Sequence, residues 1–135
     1  MNDRIIDAMG VGPLLDELAG ALPGTEGVVV LSADGLELAM STGTRSDRAS
    51  HLAAVAAGLH AIADAANRNN GGRRVDQTVV EMDYRMLVIV PLAVGALLAV
   101  VFDAVTDLSG AREKIAWFAD RLSLRMANAE LVPAP

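Results

Sequence analysis

A run of residues without charge, 86–102 (MLVIVPLAVGALLAVVF), constrains the fold more than any other part of the chain. It is shorter than the roughly 20 apolar residues that a membrane-spanning helix needs, and Pro91 and Gly95 interrupt it. Its β-branched residues favour strands. We therefore expect two strands, 85–92 and 96–102, buried on both faces and joined by a turn around Gly95. A membrane segment is the alternative.

Three further strands are predicted from hydrophobic patterning. Residues 27–32 contain an unbroken apolar run, which is typical of a strand covered on both faces. The Asp34-Gly35 pair predicts a hairpin turn into a strand at 36–41. That strand alternates, and so does the one at 75–82, as expected of half-buried edge strands. The side chains expected on the apolar face of the strand at 36–41 are Leu36, Leu38 and Met40.

Three helices complete the pattern. The first begins near Pro13 and ends at Pro23-Gly24. A long second helix has Ser46 or Asp47 as its expected N-cap and ends at residues 69–72. The last begins near Asp107. Its expected core stripe consists of Leu108, Ala111, Ile115, Phe118, Leu122 and Met126.

The element order α-β-β-α-β-β-β-α predicts an α+β fold with three α/β/α layers. Joining the hairpin to the later three strands through strands one and five gives an antiparallel sheet of order 2-1-5-4-3, with the alternating strands at its edges. The long helix is expected on one face and the other two helices on the opposite face. We expect a polar lead-in at 1–12, one domain at 13–128 and a frayed tail at 129–135.

The long helix is apolar nearly all round, so we expect it to be buried on two sides. Its bulky stripe is expected to face the sheet, and its small stripe to meet a second helix, either its own copy in a dimer or another helix of the same chain. His60, Asp64 and Asn67 are left to face water. The bulky stripe consists of Leu52, Val55, Leu59, Ile62 and Ala66.

Edge strand three follows this helix directly, and its free side is an aggregation hazard unless it is paired. Pairing two copies there, with their alanine faces in contact, would cover both surfaces through a two-fold interface. The residues expected at that interface are Ala54, Ala57, Gly58, Ala61, Ala65, Thr78 and Val80.

Composition narrows the chemistry. The chain has no cysteine, which excludes disulfides and thiolate metal sites. Its net charge is -6, and only Arg68, Arg73 and Arg74 cluster, which argues against binding to nucleic acid. The acidic N-terminus lacks the apolar run of a signal peptide, so we expect a cytoplasmic protein.

No catalytic motif is present, and we expect neither enzyme activity nor a metal or cofactor. His51 and His60 point to different sides of one helix, so they cannot share a metal. His60 and Asp64 form either a base with its orienting acid or a solvated pair. Asp103 and Asp107 either bind a cation or cap the last helix.

Trp117 and Leu124 fall about 20° apart on the side of the last helix opposite its core stripe. They are either anchors for a partner protein or are covered by the lead-in, whose apolar residues are Ile5, Ile6 and Met9.

Four stretches, 27–39 (GVVVLSADGLELA), 51–63 (HLAAVAAGLHAIA), 77–83 (QTVVEMD) and 97–116 (LLAVVFDAVTDLSGAREKIA), resemble the bacterial branch of the roadblock (dynein light-chain 7) family. The resemblance implies a homodimer or heterodimer that joins its sheets through strand three, with the second helices side by side. It also implies a regulator or scaffold of Ras-like small GTPases, in some cases GTPase-activating.

Two alternatives remain beside that function. The first is an adaptor that links a sensor-kinase-like membrane protein to other partners without affecting nucleotide turnover. The second is a small-molecule sensor with a pocket between helix and sheet, although few aromatic residues are available to line one.

Overall fold

In a computed structural model of the chain, residues 10–103 and 109–131 are described. The uncharged run forms two strands joined by a short 3-10 turn at Ala93–Gly95, as predicted. Within the described residues, no helix is long and apolar enough to cross a membrane. The elements are α1 (Val11–Ala21), β1 (Thr25–Ser32), β2 (Glu37–Met40), α2 (Ser46–Asn69), β3 (Thr78–Glu81), β4 (Arg85–Pro91), β5 (Ala96–Asp103) and α3 (Ala111–Leu131).

The five strands form one antiparallel sheet of order β2-β1-β5-β4-β3, which confirms the predicted order. The central pair is β1 and β5, with Val28 opposite Val100 and Val30 opposite Leu98. All four of these side chains are buried, as expected of strands that are covered on both faces. The short strands β2 and β3 form the two edges.

Two hydrophobic cores lie between the three predicted layers. The larger lies between the sheet and the helices α1 and α3, and the smaller lies under α2. Burying a Leu or Phe side chain contributes about 1.5–3 kcal/mol. The larger core, which contains more such side chains, therefore contributes more to stability than the core under α2. The helical residues of that larger core are Val11, Leu14, Leu15, Leu18, Ala111, Ile115, Phe118, Ala119, Leu122 and Met126.

The expected orientation of α2 is wrong. Ala49, Ala53 and Ala56 are fully buried against the sheet. By contrast Val55 and Ile62, from the bulky stripe that was expected to face the sheet, are 39% and 70% exposed. The long helix therefore lies on its sheet through alanine.

The sheet explains this orientation, because it already supplies the bulk of that core. Large sheet side chains fill the layer, so small helix residues are needed to bring the helix to packing distance. From the bulky stripe, Leu52 and Leu59 reach the border of the core and are half-buried. The large sheet residues that face α2 are Val29, Leu31, Leu87, Ile89 and Leu97.

The polar residues of α2 are displaced by the same rotation. His60, Asp64 and Asn67 were expected to face water, but all three are half-buried. They lie on the helix face that carries Ala53 and Ala56, since residues three, four and seven apart share a face.

Capping of α2 also differs from expectation. Arg45 is the N-cap residue and makes no side-chain capping bond, so neither Ser46 nor Asp47 is the cap. The Asp47 carboxylate instead lies in the first turn, where it accepts a hydrogen bond from the Arg48 N–H at 2.9 Å and pairs with Arg45 at 3.1 Å. A carboxylate there still complements the positive end of the helix dipole.

A β-bulge interrupts β2. The register shifts after Val30, which leaves Leu38 without a partner in β1. Leu38 and Ala39 therefore belong to the same core, whereas Met40 packs on the α2 face. Leu36 is exposed in the turn. The common apolar face expected for Leu36, Leu38 and Met40 is thus wrong.

Several expectations lie outside the described residues. They concern Ile5, Ile6 and Met9 of the lead-in, Asp107 and Leu108 at the start of the last helix, and the tail at 132–135.

Candidate functional site

The outer edge of β3 is the first candidate interaction surface. β3 pairs with β4 on one side, from Thr78 opposite Ile89 to Glu81 opposite Met86, and no described strand pairs with its other side. Its exposure alternates as predicted, with Thr78 and Val80 half-buried. The outer edge of β3 therefore presents free backbone donors and acceptors.

The two sides of α2 face opposite edges of the sheet. On one side, a Cβ at Gly35 in the β1–β2 turn would lie 3.5 Å from Ala54 Cα and 3.7 Å from Ala57 Cβ. On the other side, Val55 lines a cavity together with Met82, which follows β3. The flank of α2 that carries Val55 is therefore turned toward the β3 edge.

Ile62 extends that flank along the helix, because it lies seven residues and so about 20° from Val55. Both side chains are apolar and exposed. We call Val55, Ile62 and the outer edge of β3 the edge surface.

The structure distributes the seven expected interface residues over different environments. Ala54, Gly58, Ala61 and Ala65 are exposed on α2. Ala57 differs from the expectation of an exposed residue, because it is only 9% exposed and packs within its own chain beside the Gly35 turn. The other two, Thr78 and Val80, lie on the edge strand.

The outer side of α3 is the second candidate surface. Trp117 and Leu124 are 51% and 64% exposed. The Trp117 ring meets Phe118 edge-on, with 4.8 Å between the ring centroids. The Arg121 guanidinium lies 4.6 Å from the centroid of the Trp117 ring. These two contacts hold the indole in place while half of it remains open to a partner.

The candidate catalytic pair is not assembled. Asp64 forms an ion pair with Arg68 at 3.2 Å, and His60 Nδ1 is buried with no hydrogen-bond partner among the described residues. Asn67 Nδ2 and Thr78 Oγ1 are buried and unpartnered in the same way. Over residues 10–103 and 109–131, no three His, Asp or Glu side chains are placed to hold a metal ion. Asp103 ends β5.

A cavity of about 250 Å³ lies between the first half of α2 and one end of the sheet. Its apolar wall comes from four separate elements and from Met82, which follows β3, so no local pattern in the sequence could predict it. Near its mouth, Arg85 Nε and Glu26 form an ion pair at 3.0 Å. The lining residues are Glu26, Gly27, Thr44, Arg48, His51, Leu52, Val55, Met82, Arg85, Leu87 and Val101.

Comparisons with known proteins agree with this architecture. A Roadblock/LC7 domain from Streptomyces avermitilis is 30% identical over 86% of this chain and 97% of its own, with a TM-score of 0.81. MglB from Myxococcus xanthus is 19% identical over 87% of this chain and 95% of its own, with a TM-score of 0.79. At that identity, the likeness shows the fold. No protein of curated function matches the sequence.

The model of the Roadblock/LC7 domain matches residues 13–102, which is more than half of the chain. Together with the sheet order and the structural neighbours, this match shows that the chain belongs to the Roadblock/LC7 domain family.

Proposed function

We propose that this chain forms a homodimer that binds a Ras-like small GTPase in the cytoplasm and acts as a non-enzymatic regulator or scaffold. The observation that carries the proposal is the unpaired edge of β3 beside the exposed apolar flank of α2, in a chain of the Roadblock/LC7 family.

The dimer follows from what an exposed edge strand requires. Free backbone groups on a sheet edge favour pairing with another strand, and a two-fold axis lets β3 of one copy pair with β3 of the other. The edge surface and the exposed residues of α2 would then be buried together. The proposed contacts are Val55, Gly58, Ala61, Ile62 and Ala65 from α2, with Thr78 and Val80 from β3; Ala54 lies beside the Gly35 turn, toward the opposite edge.

The class of partner follows from family membership. The resemblance to bacterial roadblock proteins implies a regulator or scaffold of Ras-like small GTPases. In this proposal the GTPase supplies the nucleotide chemistry, and the dimer favours one of its switch conformations. Trp117 is the proposed anchor, because tryptophan is enriched at binding hot spots. Leu124, exposed on the same side of α3, is the proposed second contact.

Affinity capture with the full chain tests the proposal. Lysate of the source organism is passed over the immobilised protein with a non-hydrolysable GTP analogue and, in parallel, with GDP, and retained proteins are identified by mass spectrometry. We expect a Ras-like GTPase that is retained in one nucleotide state and released in the other. Phosphate release by that purified GTPase, with and without the dimer, then separates a regulator of turnover from a scaffold.

Other outcomes contradict the proposal in distinct ways. Retention of a sensor-kinase-like protein without any GTPase would favour the adaptor function. A GTPase retained equally in both nucleotide states would exclude selection between switch conformations and leave only the scaffold function.

A further inference from the structure

The cavity beneath the first half of α2 has the size of a small-molecule site. Its volume is about 250 Å³. A protein cavity of about 150 Å³ accepts benzene, so by proportion this one holds about ten non-hydrogen atoms. Leu52 and Val55 of α2 form one apolar wall, and Leu87 and Val101 of the sheet form another. These walls would cover the aliphatic or aromatic body of a ligand.

Among the described residues, the charged side chains that line the cavity leave one cation without a partner. Of the charged side chains that line the cavity, Arg85 is paired with Glu26. Arg48 has no ion pair or side-chain hydrogen bond with any residue of the described chain. One net positive charge therefore stands at the mouth, in a protein whose net charge is -6.

Neighbouring groups do not neutralise that cation. Asp47 is the acidic residue next to Arg48 in sequence, and its carboxylate pairs with Arg45. An unpaired guanidinium beside an apolar cavity attracts carboxylates, which it can bind through two parallel hydrogen bonds.

Thr44 contributes a polar group to the lining, in addition to His51. Thr44 is 9% exposed, and its Oγ1 lies 2.8 Å from Ser41 Oγ, which accepts a hydrogen bond from the Val28 N–H. A threonine hydroxyl has one donor and two acceptor positions, so Thr44 keeps hydrogen-bonding capacity after this contact. Mostly apolar walls with a few placed polar groups are the usual composition of ligand sites.

We propose that this cavity binds a small amphipathic carboxylate, with its apolar body between α2 and the sheet and its carboxylate on Arg48. A neutral apolar ligand would leave the Arg48 charge unused, and a ligand as large as a nucleotide exceeds the volume. The cavity lies within a single chain and needs no GTPase partner, so a failed GTPase capture leaves this proposal standing. Val55 is shared with the proposed dimer contacts, but the Arg48 side chain and the sheet wall are not.

The test is a titration of the full chain with sodium octanoate, followed by the amide signals of the ¹⁵N-labelled protein in NMR. We expect saturable shifts at cavity residues such as Gly27, Leu87 and Val101. Arg48→Gln should weaken octanoate binding about tenfold or more, since it removes a charge-assisted contact. Arg73→Gln is the matched control, because it removes the same charge from an exposed residue that does not line the cavity and leaves Asp47 paired with Arg45.

Two further measurements separate this site from unspecific binding. Octanamide, which has the same chain without the charge, should bind at least about tenfold more weakly than octanoate. Val101→Phe should fill the cavity and abolish binding. The proposal fails if octanoate shifts no cavity signal, if Arg73→Gln weakens binding as much as Arg48→Gln, or if octanamide binds equally well.

Discussion

Alanine is the residue that positions the long helix. Ala49, Ala53 and Ala56 touch the sheet and have no exposed surface, so each leaves room only for a methyl group. Close-packed interiors accept added volume only by distorting side chains or backbone. The small size of these residues thus sets the distance between α2 and the sheet.

Ala56→Leu should therefore lower the free energy of unfolding by about 1–3 kcal/mol, because the larger side chain cannot be accommodated under α2. Ala116→Leu, the same change at an exposed position of α3 that lies outside the proposed interface, should change it by no more than about 0.5 kcal/mol. Urea denaturation at one protein concentration gives both values. Equal effects of the two substitutions would mean that α2 does not lie on the sheet through Ala56.

Trp117 is the proposed anchor residue for a partner protein. Trp117→Ala should cost about 1 kcal/mol or less, since half of the side chain is already in water. The same variant should lose the captured partner. Phe118→Ala, which truncates the buried neighbour, should cost about 3–5 kcal/mol. Thermal melting and the capture assay measure the two effects separately.

Tyr84→Ala serves as the matched control for Trp117→Ala, because Tyr84 is another exposed aromatic residue on a different part of the surface. It should retain the partner. A large fall in melting temperature for Trp117→Ala would identify Trp117 as a core residue.

Among the elements, α2 shows that a helical sequence pattern determines the length and the end of a helix but not its rotation about its own axis. Its length and its end at Asn69 and Gly71 were predicted from the sequence, because asparagine and glycine accept the conformations that end a helix. Its rotation about its own axis was not, because the helix is apolar nearly all round. The face that packs on the sheet, with Ala49, Ala53 and Ala56, belongs to neither of the two stripes that the sequence suggested. The large side chains of the sheet, Leu87 and Ile89 among them, leave space only for alanine on the helix face that packs against them.

The flank of α2 beside the β3 edge makes a prediction about assembly. Ile62→Glu places a charge in the proposed interface, and burying an unpaired charge is costly, so the variant should be a monomer. Ala61→Glu should act in the same direction. Leu36→Glu, an equivalent change in the turn beside the opposite edge strand, should remain a dimer.

Multi-angle light scattering gives the masses of these variants, and circular dichroism shows whether each is folded. An unchanged dimer mass for a folded Ile62→Glu variant would rule out the edge surface as the interface.

For the whole molecule, the order of the strands was predictable because burial separates edge strands from central ones. The unbroken apolar strands β1, β4 and β5 lie inside the sheet, and the alternating strands lie outside. The cavity was not predictable, since its walls meet only after residues as distant as Val55 and Val101 are brought together. The edge surface was predicted in part, because the free strand was identified but not the side of α2 beside it.

Pairing of two sheets predicts a specific pattern of hydrogen exchange. Alternate backbone N–H groups of β3 point away from β4. Exchange at these amides should slow as the protein concentration rises through the dimer dissociation constant, whereas amides of β2 should be unaffected. Exchange that is independent of concentration at β3 would place the dimer contact elsewhere.

The bulge at Leu38 has a consequence for how many copies can join. A chain with two regular sheet edges can add copies at both ends and grow into a fibre. In the proposed dimer the two β3 edges pair with each other, so each outer rim of the joined sheet is the four-residue strand β2. In β2, Leu38 lacks a partner in β1 and Glu37 carries a charge. Such a rim is a poor template for another strand. The irregular strand β2 thus disfavours the addition of further copies, so that the proposed assembly stops at two chains.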